Sequence, residues 1–203
     1  MKRSMPHRSR TLTAIAAVLL LVVYAVPLWR ISLKAPQYPE GLGMKIMLTT
    51  VTGAKDHDLQ NINELNHYIG MKVIDPDAIP VLRVMPWVVG GLVATGLIVA
   101  LVGRRRLLYA WMAAFVALCA AGMVVFWWWE YDYGHHLDMA NAIIKIPGMS
   151  YQPPLIGSRQ LLNFTAISLP DWGAWIAGVA FLLGVLAIVA ARRPEPAVPA
   201  PQG

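Results

Sequence analysis

The stretch VMPWVVGGLVATGLIVALVGRRRLLYAWMAAFVALCAAGMVVFWW, residues 84–128, decides the class of the fold. It holds two apolar runs, 84–102 and 107–128, which are separated by a short turn with three consecutive arginines. Each run has the roughly 20 residues that a helix needs to cross about 30 Å of hydrocarbon. Residues 11–29 and 172–191 form two more runs of the same kind. We therefore predict an all-α integral membrane protein with four transmembrane helices.

The basic residues fix the predicted orientation of these helices. Nine of them, against a single acidic residue, lie in the N-terminus (1–10), the turn (103–106) and the tail (192–203). The first long loop (30–83) is balanced, and the second (129–171) has an excess of acidic residues. Because cytoplasmic loops are enriched in Lys and Arg, we predict that both termini are cytoplasmic and that both long loops lie outside the bacterial inner membrane. The Pro- and Ala-rich tail is predicted to be disordered.

Several classes of function are excluded or disfavoured by the sequence. The net charge of +6 flanks the apolar runs and does not form a nucleic-acid-binding face. The single cysteine, Cys119, lies within a predicted span and allows neither an internal disulfide nor CxxC metal chemistry. No ionisable side chain lies deep within a span, which argues against an ion path. Motifs for a nucleophile, a phosphate loop, a dinucleotide site or haem attachment are missing, so we predict that the protein is not an enzyme.

The first long loop contains regular structure, because about fifty residues are too many for a bare connection. Residues 44–52 are rich in β-formers and predict a short strand. Residues 58–69 have helical periodicity, with Asn61 and Glu64 spaced as a capping box and Gly70 placed to end the helix. We predict that the two long loops pack together into a small cap.

The two long loops collect soft metal-ligand side chains. They contain four of the five histidines and five of the ten methionines. Thioether and imidazole groups suit Cu(I), whereas zinc spacing with cysteine and the clustered oxygens of a calcium loop are missing. The candidate ligands are Met44, Met47, His67, Met71, His135, His136, Met139 and Met149. Methionine is also a flexible filler and an adaptable interface residue, so packing or protein docking is the alternative explanation for the same residues.

Two strings in the loops resemble a known group of proteins. One is APQYPEGL (35–42) followed by INELNHYIGM (62–71), and the other is GMSYQPPLIG (148–157). They resemble small membrane proteins encoded beside nitrous oxide reductase and its copper-handling accessory factors in bacterial nos-type gene clusters. The resemblance covers both long loops and implies a periplasmic partner that is a copper enzyme or its maturation machinery. It implies no catalytic residues.

The sequence thus predicts an accessory protein of the inner membrane in denitrification. Its partners would be the lipid bilayer and a periplasmic copper enzyme or copper chaperone, with Cu(I) as the bound metal. The alternative is a metal-free structural or anchoring subunit of a membrane redox complex, which would use the same loops as a protein interface. An enzyme or quinone-reactive subunit is a third possibility that no motif supports.

Overall fold

The computed structural model describes residues 4–161 and 163–192. The predicted disordered tail lies outside these residues except for Arg192, which ends the last helix. The elements in chain order are α1 (His7–Leu19) with a 3-10 extension (Leu20–Tyr24), β1 (Trp29–Ala35), β2 (Tyr38–Ile46), β3 (Val51–Gly53), α2 (Asp58–Ile69), a 3-10 turn (Pro76–Ala78), α3 (Pro80–Val102), α4 (Arg105–His135), β4 (Gly157–Leu161), β5 (Phe164–Pro170) and α5 (Trp172–Arg192).

Four helices are long and apolar enough to cross a membrane, which is consistent with a membrane location. They are α1 with its extension (His7–Tyr24), α3, α4 and α5. α1 lies against α3 and α5, and α4 also contacts both. In the interior, the indole of Trp111 donates a hydrogen bond of 2.8 Å to the Leu92 carbonyl. A Cβ on Gly96 would lie 2.8 Å from both the Trp111 ring and the Ala17 Cβ, so α3 approaches its neighbours closely because that position has no side chain.

The prediction of an all-α fold is wrong, because the long loops form a five-stranded antiparallel sheet in the order β3-β2-β1-β5-β4. β1 begins at Trp29, the residue at which the first span was predicted to end. The predicted strand at 44–52 corresponds to the end of β2, a turn and β3. The other strands are short and half polar, with no long apolar run to reveal them.

The pairing of β1 with β5 joins the two long loops in one sheet. β1 pairs with β2 on one side and with β5 on the other, so that Trp29 lies opposite both Ile46 and Pro170. Just before β1, the Leu28 N–H donates to the Ile46 carbonyl at 2.8 Å, and the Leu28 carbonyl accepts from the Asp171 N–H at 3.0 Å. The sheet is therefore fixed directly to the ends of the first and last apolar helices.

At the opposite end of the helices, the residues just before α1 and its first turn lie against the α3–α4 turn and the end of α5. The Met5 N–H donates to the Gly103 carbonyl at 2.7 Å, and the Arg10 guanidinium donates to the Ala100 carbonyl at 2.7 Å. The Ser9 hydroxyl donates to the Ala187 carbonyl of α5 at 2.8 Å. This arrangement puts the arginine turn and the sheet at opposite ends of the helices. The assignment of the arginine end to the cytoplasm stays a prediction from charge.

α2 covers Asp58–Ile69, the residues for which the periodicity predicts a helix. It buries Ile62, Asn66 and Ile69, and it ends at Gly70, whose φ of 77° suits a residue without a Cβ. The start differs from the predicted capping box, because the helix begins three residues before Asn61. Instead, the Asp58 carboxylate accepts from the Gly43 N–H at 3.0 Å and from the Lys55 N–H at 3.1 Å. These bonds fix α2 to the sheet. We call the sheet, α2 and the segment between α4 and β4 the cap.

Replacing Asp58 with alanine should loosen the attachment of α2 to the sheet. The buried Gly43 N–H would lose its acceptor, at a cost of about 2–3 kcal/mol in the free energy of unfolding of the cap. Hydrogen exchange over residues 43–55, measured by mass spectrometry in mild detergent, should accelerate. Asp56→Ala, at an exposed neighbouring position, is the matched control and should leave the exchange unchanged. Equal exchange in both variants would contradict a structural role for the Asp58 carboxylate.

Candidate functional site

α4 is longer than a membrane span requires, and its end enters the cap. Its 31 residues correspond to about 46 Å at about 1.5 Å per residue, whereas the hydrocarbon layer is about 30 Å thick. The last turns, beyond the span predicted at 107–128, carry Trp129 and Tyr133 against the apolar cluster around Ile31 and Ile62. The Trp129 and Tyr133 rings lie 4.8 Å apart between centroids. The helix is therefore both a candidate membrane span and one wall of the cap.

A cavity of about 490 Å³ lies within the cap. The sheet, α2, the end of α4 and the second long loop all contribute to its wall, which is mostly apolar and aromatic. Among its lining residues are Ile31, Ala35, Tyr38, Leu42, Met44, Ile62, Asn66, Tyr68, Met71, Trp129, Glu130, Tyr133, Tyr151 and Phe164. A volume of this size accommodates a small organic molecule.

Glu130 is the unusual member of this wall. Its side chain is 1% exposed, and neither carboxyl oxygen has a hydrogen-bond partner among the described residues. The Tyr151 hydroxyl is buried without a partner in the same way, and burial raises the pKa of that phenol above its ordinary value. Buried polar groups are nearly always paired, so each exception calls for an explanation. A ligand in the cavity that donates to the carboxyl would supply the missing partner.

The second long loop forms one side of the cavity through backbone hydrogen bonds. The Asp138 N–H donates to the Gly70 carbonyl at 2.7 Å, and the Ile144 N–H donates to the Tyr68 carbonyl at 2.8 Å. The Tyr151 N–H donates to the Gly134 carbonyl at 2.9 Å. These bonds hold the segment between α4 and β4 across the ends of α2 and α4.

A turn at Asp138 shapes this segment. The Asp138 carboxylate accepts from the Asn141 side-chain amide at 2.7 Å and from the backbone N–H groups of Ala140 and Asn141. The pKa of the Asp138 carboxyl lies below its ordinary value, mainly because the Asn141 side chain donates a hydrogen bond to it and, to a smaller extent, because the Asn141 backbone N–H does so. The ionised form therefore stabilises the turn at neutral pH.

The predicted imidazole ligands lie on the surface of the cap. His135 is the last residue of α4, and its ring stacks on Tyr131 at 4.0 Å between centroids. His136 follows at once, with its Nδ1 atom 2.7 Å from the Asp132 carboxylate, which also binds the Lys72 ammonium at 2.6 Å. His67 is exposed on α2. The sequence placed 135–136 in the second long loop, whereas the structure continues α4 to His135.

The predicted methionine ligands are divided between two environments. Met44 is buried, Met71 is half-buried, and both line the cavity with Glu130. Met47 follows β2, and Met139 and Met149 lie in the second long loop; these three do not line the cavity. Within 4–161 and 163–192, no three His, Cys, Asp or Glu side chains are grouped so that they could hold a metal ion. The structure does not bring the eight candidate ligands together, and copper stays a prediction.

Glu130 is not among the site residues that the sequence predicted. It follows three consecutive tryptophans, a position that is typical of a carboxylate in the headgroup region or at a protein interface. Only the fold of the cap around α4 makes it a buried group.

A scan against protein-family models and a search of the curated proteins find no match to this chain. The candidate site is therefore defined by its own geometry.

Gly70→Ala should open the side of the cavity that the second long loop forms. A Cβ there would lie 2.8 Å from the Asp138 carbonyl oxygen and 3.0 Å from the Ala142 Cβ, in addition to the strain of a positive φ. Trypsin should therefore cleave after Lys145 several times faster than in the wild type.

Gly148→Ala is the matched control for this prediction. Its φ of 75° imposes the same backbone strain, but no atom lies within 4 Å of the added Cβ. Cleavage that accelerates equally in both variants would show that backbone strain alone, and not the contact with Asp138, explains the effect.

Proposed function

We propose that the protein is a membrane-anchored binding protein that holds a small, largely apolar ligand in the cavity of its cap. The observation that supports this proposal most directly is the buried, unpartnered carboxyl of Glu130 in the wall of a 490 Å³ cavity. Apolar pockets that contain a few polar groups are typical of ligand sites. Holding such a ligand requires no catalytic group, in keeping with the expectation that the protein is not an enzyme.

The position of the cavity favours a ligand that dissolves in or reaches the outer leaflet. Trp127, Trp128, Trp172 and Trp175 are exposed at the ends of α4 and α5 nearest the cap, where indole rings typically lie at the membrane interface. Glu130 comes directly after this belt in α4. An amphiphilic molecule at the headgroup level would therefore lie at the same depth as the cavity.

Ala35→Trp tests this proposal by filling the cavity. Ala35 is half-buried in the cavity wall, at the end of β1. Wild-type protein in nanodiscs should bind the apolar fluorophore N-phenyl-1-naphthylamine saturably, at one site per chain, above the signal of empty nanodiscs. The variant should lose at least about tenfold in affinity, because the indole occupies the space that the probe requires.

Ala140→Trp adds the same side chain at an exposed position of the second long loop, and binding should stay at the wild-type level. Binding that has no saturable component above empty nanodiscs, or that Ala35→Trp leaves unchanged, would reject the cavity as a ligand site.

A second candidate function is the copper-handling role that the sequence predicts. The specific observation in its favour is that Met44 and Met71 line the same cavity as the Glu130 carboxyl, and thioether groups are good ligands for Cu(I). Its partner would be a periplasmic copper enzyme or chaperone, in keeping with the resemblance to proteins of nos-type clusters. The surface imidazoles of His67 and His136 offer a different location for the metal.

Two double variants distinguish these locations. We expect Met44→Leu with Met71→Leu to abolish Cu(I) binding, measured under reducing conditions by competition with a chromophoric chelator. The substitutions nearly conserve volume and should cost less than about 1.5 kcal/mol each in stability. His67→Ala with His136→Ala would abolish binding instead if the metal lies on the surface. Wild-type affinity in both double variants would reject the copper role of these residues.

A further inference from the structure

We infer that the ligand of the cavity is an organic cation, an ammonium group carried by an apolar body, with its nitrogen beside the Glu130 carboxylate. This inference rests on the proposed function and names the chemical class of the ligand. It begins with the charge of the cavity wall. The described lining residues include no Lys, Arg, His or Asp, so Glu130 is the one carboxyl among them, with no basic side chain beside it in the wall.

The Lys72 ammonium is paired with a different carboxylate of α4. Lys72 pairs with Asp132 at 2.6 Å, and neither residue lines the cavity. His136 is engaged with the same aspartate at 2.7 Å. Burial without a partner disfavours the ionised form of the Glu130 carboxyl. A ligand that brings a positive charge beside it favours ionisation and forms an ion pair there, which a neutral molecule of the same shape does not.

The remaining polarisable groups of the wall also favour a cation. Six aromatic rings line the cavity, and ring faces attract ammonium groups with a strength that increases when water is excluded. The rings are those of Tyr38, Tyr68, Trp129, Tyr133, Tyr151 and Phe164. The thioethers of Met44 and Met71 add two further electron-rich atoms. A carboxyl, aromatic rings and thioethers thus line one space.

The size of the cavity distinguishes an organic cation from a bare metal ion. About 490 Å³ is much more space than a metal ion with two or three ligands occupies, and most of the wall consists of apolar carbon. An ammonium group with an aryl or alkyl body would fill the space, with its charge at Glu130 and its body among Ile31, Leu42 and Ile62.

Matched probes test the inference with the full chain in phosphatidylglycerol nanodiscs. Phenethylammonium and propylbenzene have the same shape and differ by a nitrogen cation, which carries N–H donors, in place of a carbon. Equilibrium dialysis, with empty nanodiscs as the baseline, should show at least about tenfold tighter binding of the ammonium probe. Glu130→Gln and Glu130→Met should both lose this preference while they keep their affinity for the neutral probe.

Glu64→Gln is the matched control, because Glu64 is an exposed carboxylate of α2 that bonds only to Gln60 among the described contacts. It should keep the full preference for the ammonium probe. Equal affinity for the two probes in the wild type, or a preference that survives in both Glu130 variants, would overturn the inference and leave the proposed function standing. Binding of neither probe would overturn both.

Two further arms identify the source of the cation. If the ammonium belongs to a lipid headgroup, nanodiscs that contain phosphatidylethanolamine should weaken binding of the ammonium probe by competition, whereas a free amine as ligand predicts no effect of lipid composition.

Cu(I) is tested in the same way. Stoichiometric Cu(I) that displaces the probe in the wild type and not in Met44→Leu with Met71→Leu would assign the cavity to the metal and overturn the organic cation.

Discussion

The pairing of β1 with β5 is the interaction on which the rest of the structure depends. It joins Trp29–Ala35 to Phe164–Pro170, two strands that lie directly beside the first and last apolar helices. Without this ladder the strands of the two long loops would form two separate antiparallel sheets. With it they form one sheet, against which α2 and the end of α4 bury their apolar faces. The cavity exists because four parts of the chain, distant in sequence, are held around the same space.

The burial of the Glu130 carboxyl among apolar groups costs free energy within this arrangement. The residue follows the predicted span of α4 and enters the cap with Trp129 and Tyr133, so its side chain is enclosed by apolar groups. Replacing such a group with an apolar one is often neutral or favourable for stability. The Glu130 carboxyl is nevertheless enclosed at this depth, with both oxygens unpartnered among the described residues.

The sequence predicted the parts of the structure that depend on local pattern. Hydropathy gave the four apolar helices, and periodicity with a following glycine gave α2 over 58–69. The sequence did not predict the sheet because β4 and β5 are short and partly polar. In addition, β1 pairs with a strand more than 120 residues away, and no local pattern contains this pairing. Composition emphasised the imidazoles of His67, His135 and His136, which the fold leaves on the surface. The Glu130 carboxyl drew less attention because its burial arises only from tertiary packing.

The order of the strands along the chain has a consequence for biosynthesis. β1 leaves the ribosome soon after the first apolar helix, but its partner β5 is made only after α3, α4 and the second long loop. At about 5–20 residues per second, the inner edge of β1 stays unpaired for several seconds of translation. During that time the nascent protein presents an open backbone edge at the membrane surface, a feature that favours association with other chains. Completion of the cap is thus one of the last steps of synthesis, and a chain truncated before residue 164 would expose this edge permanently to quality-control proteases.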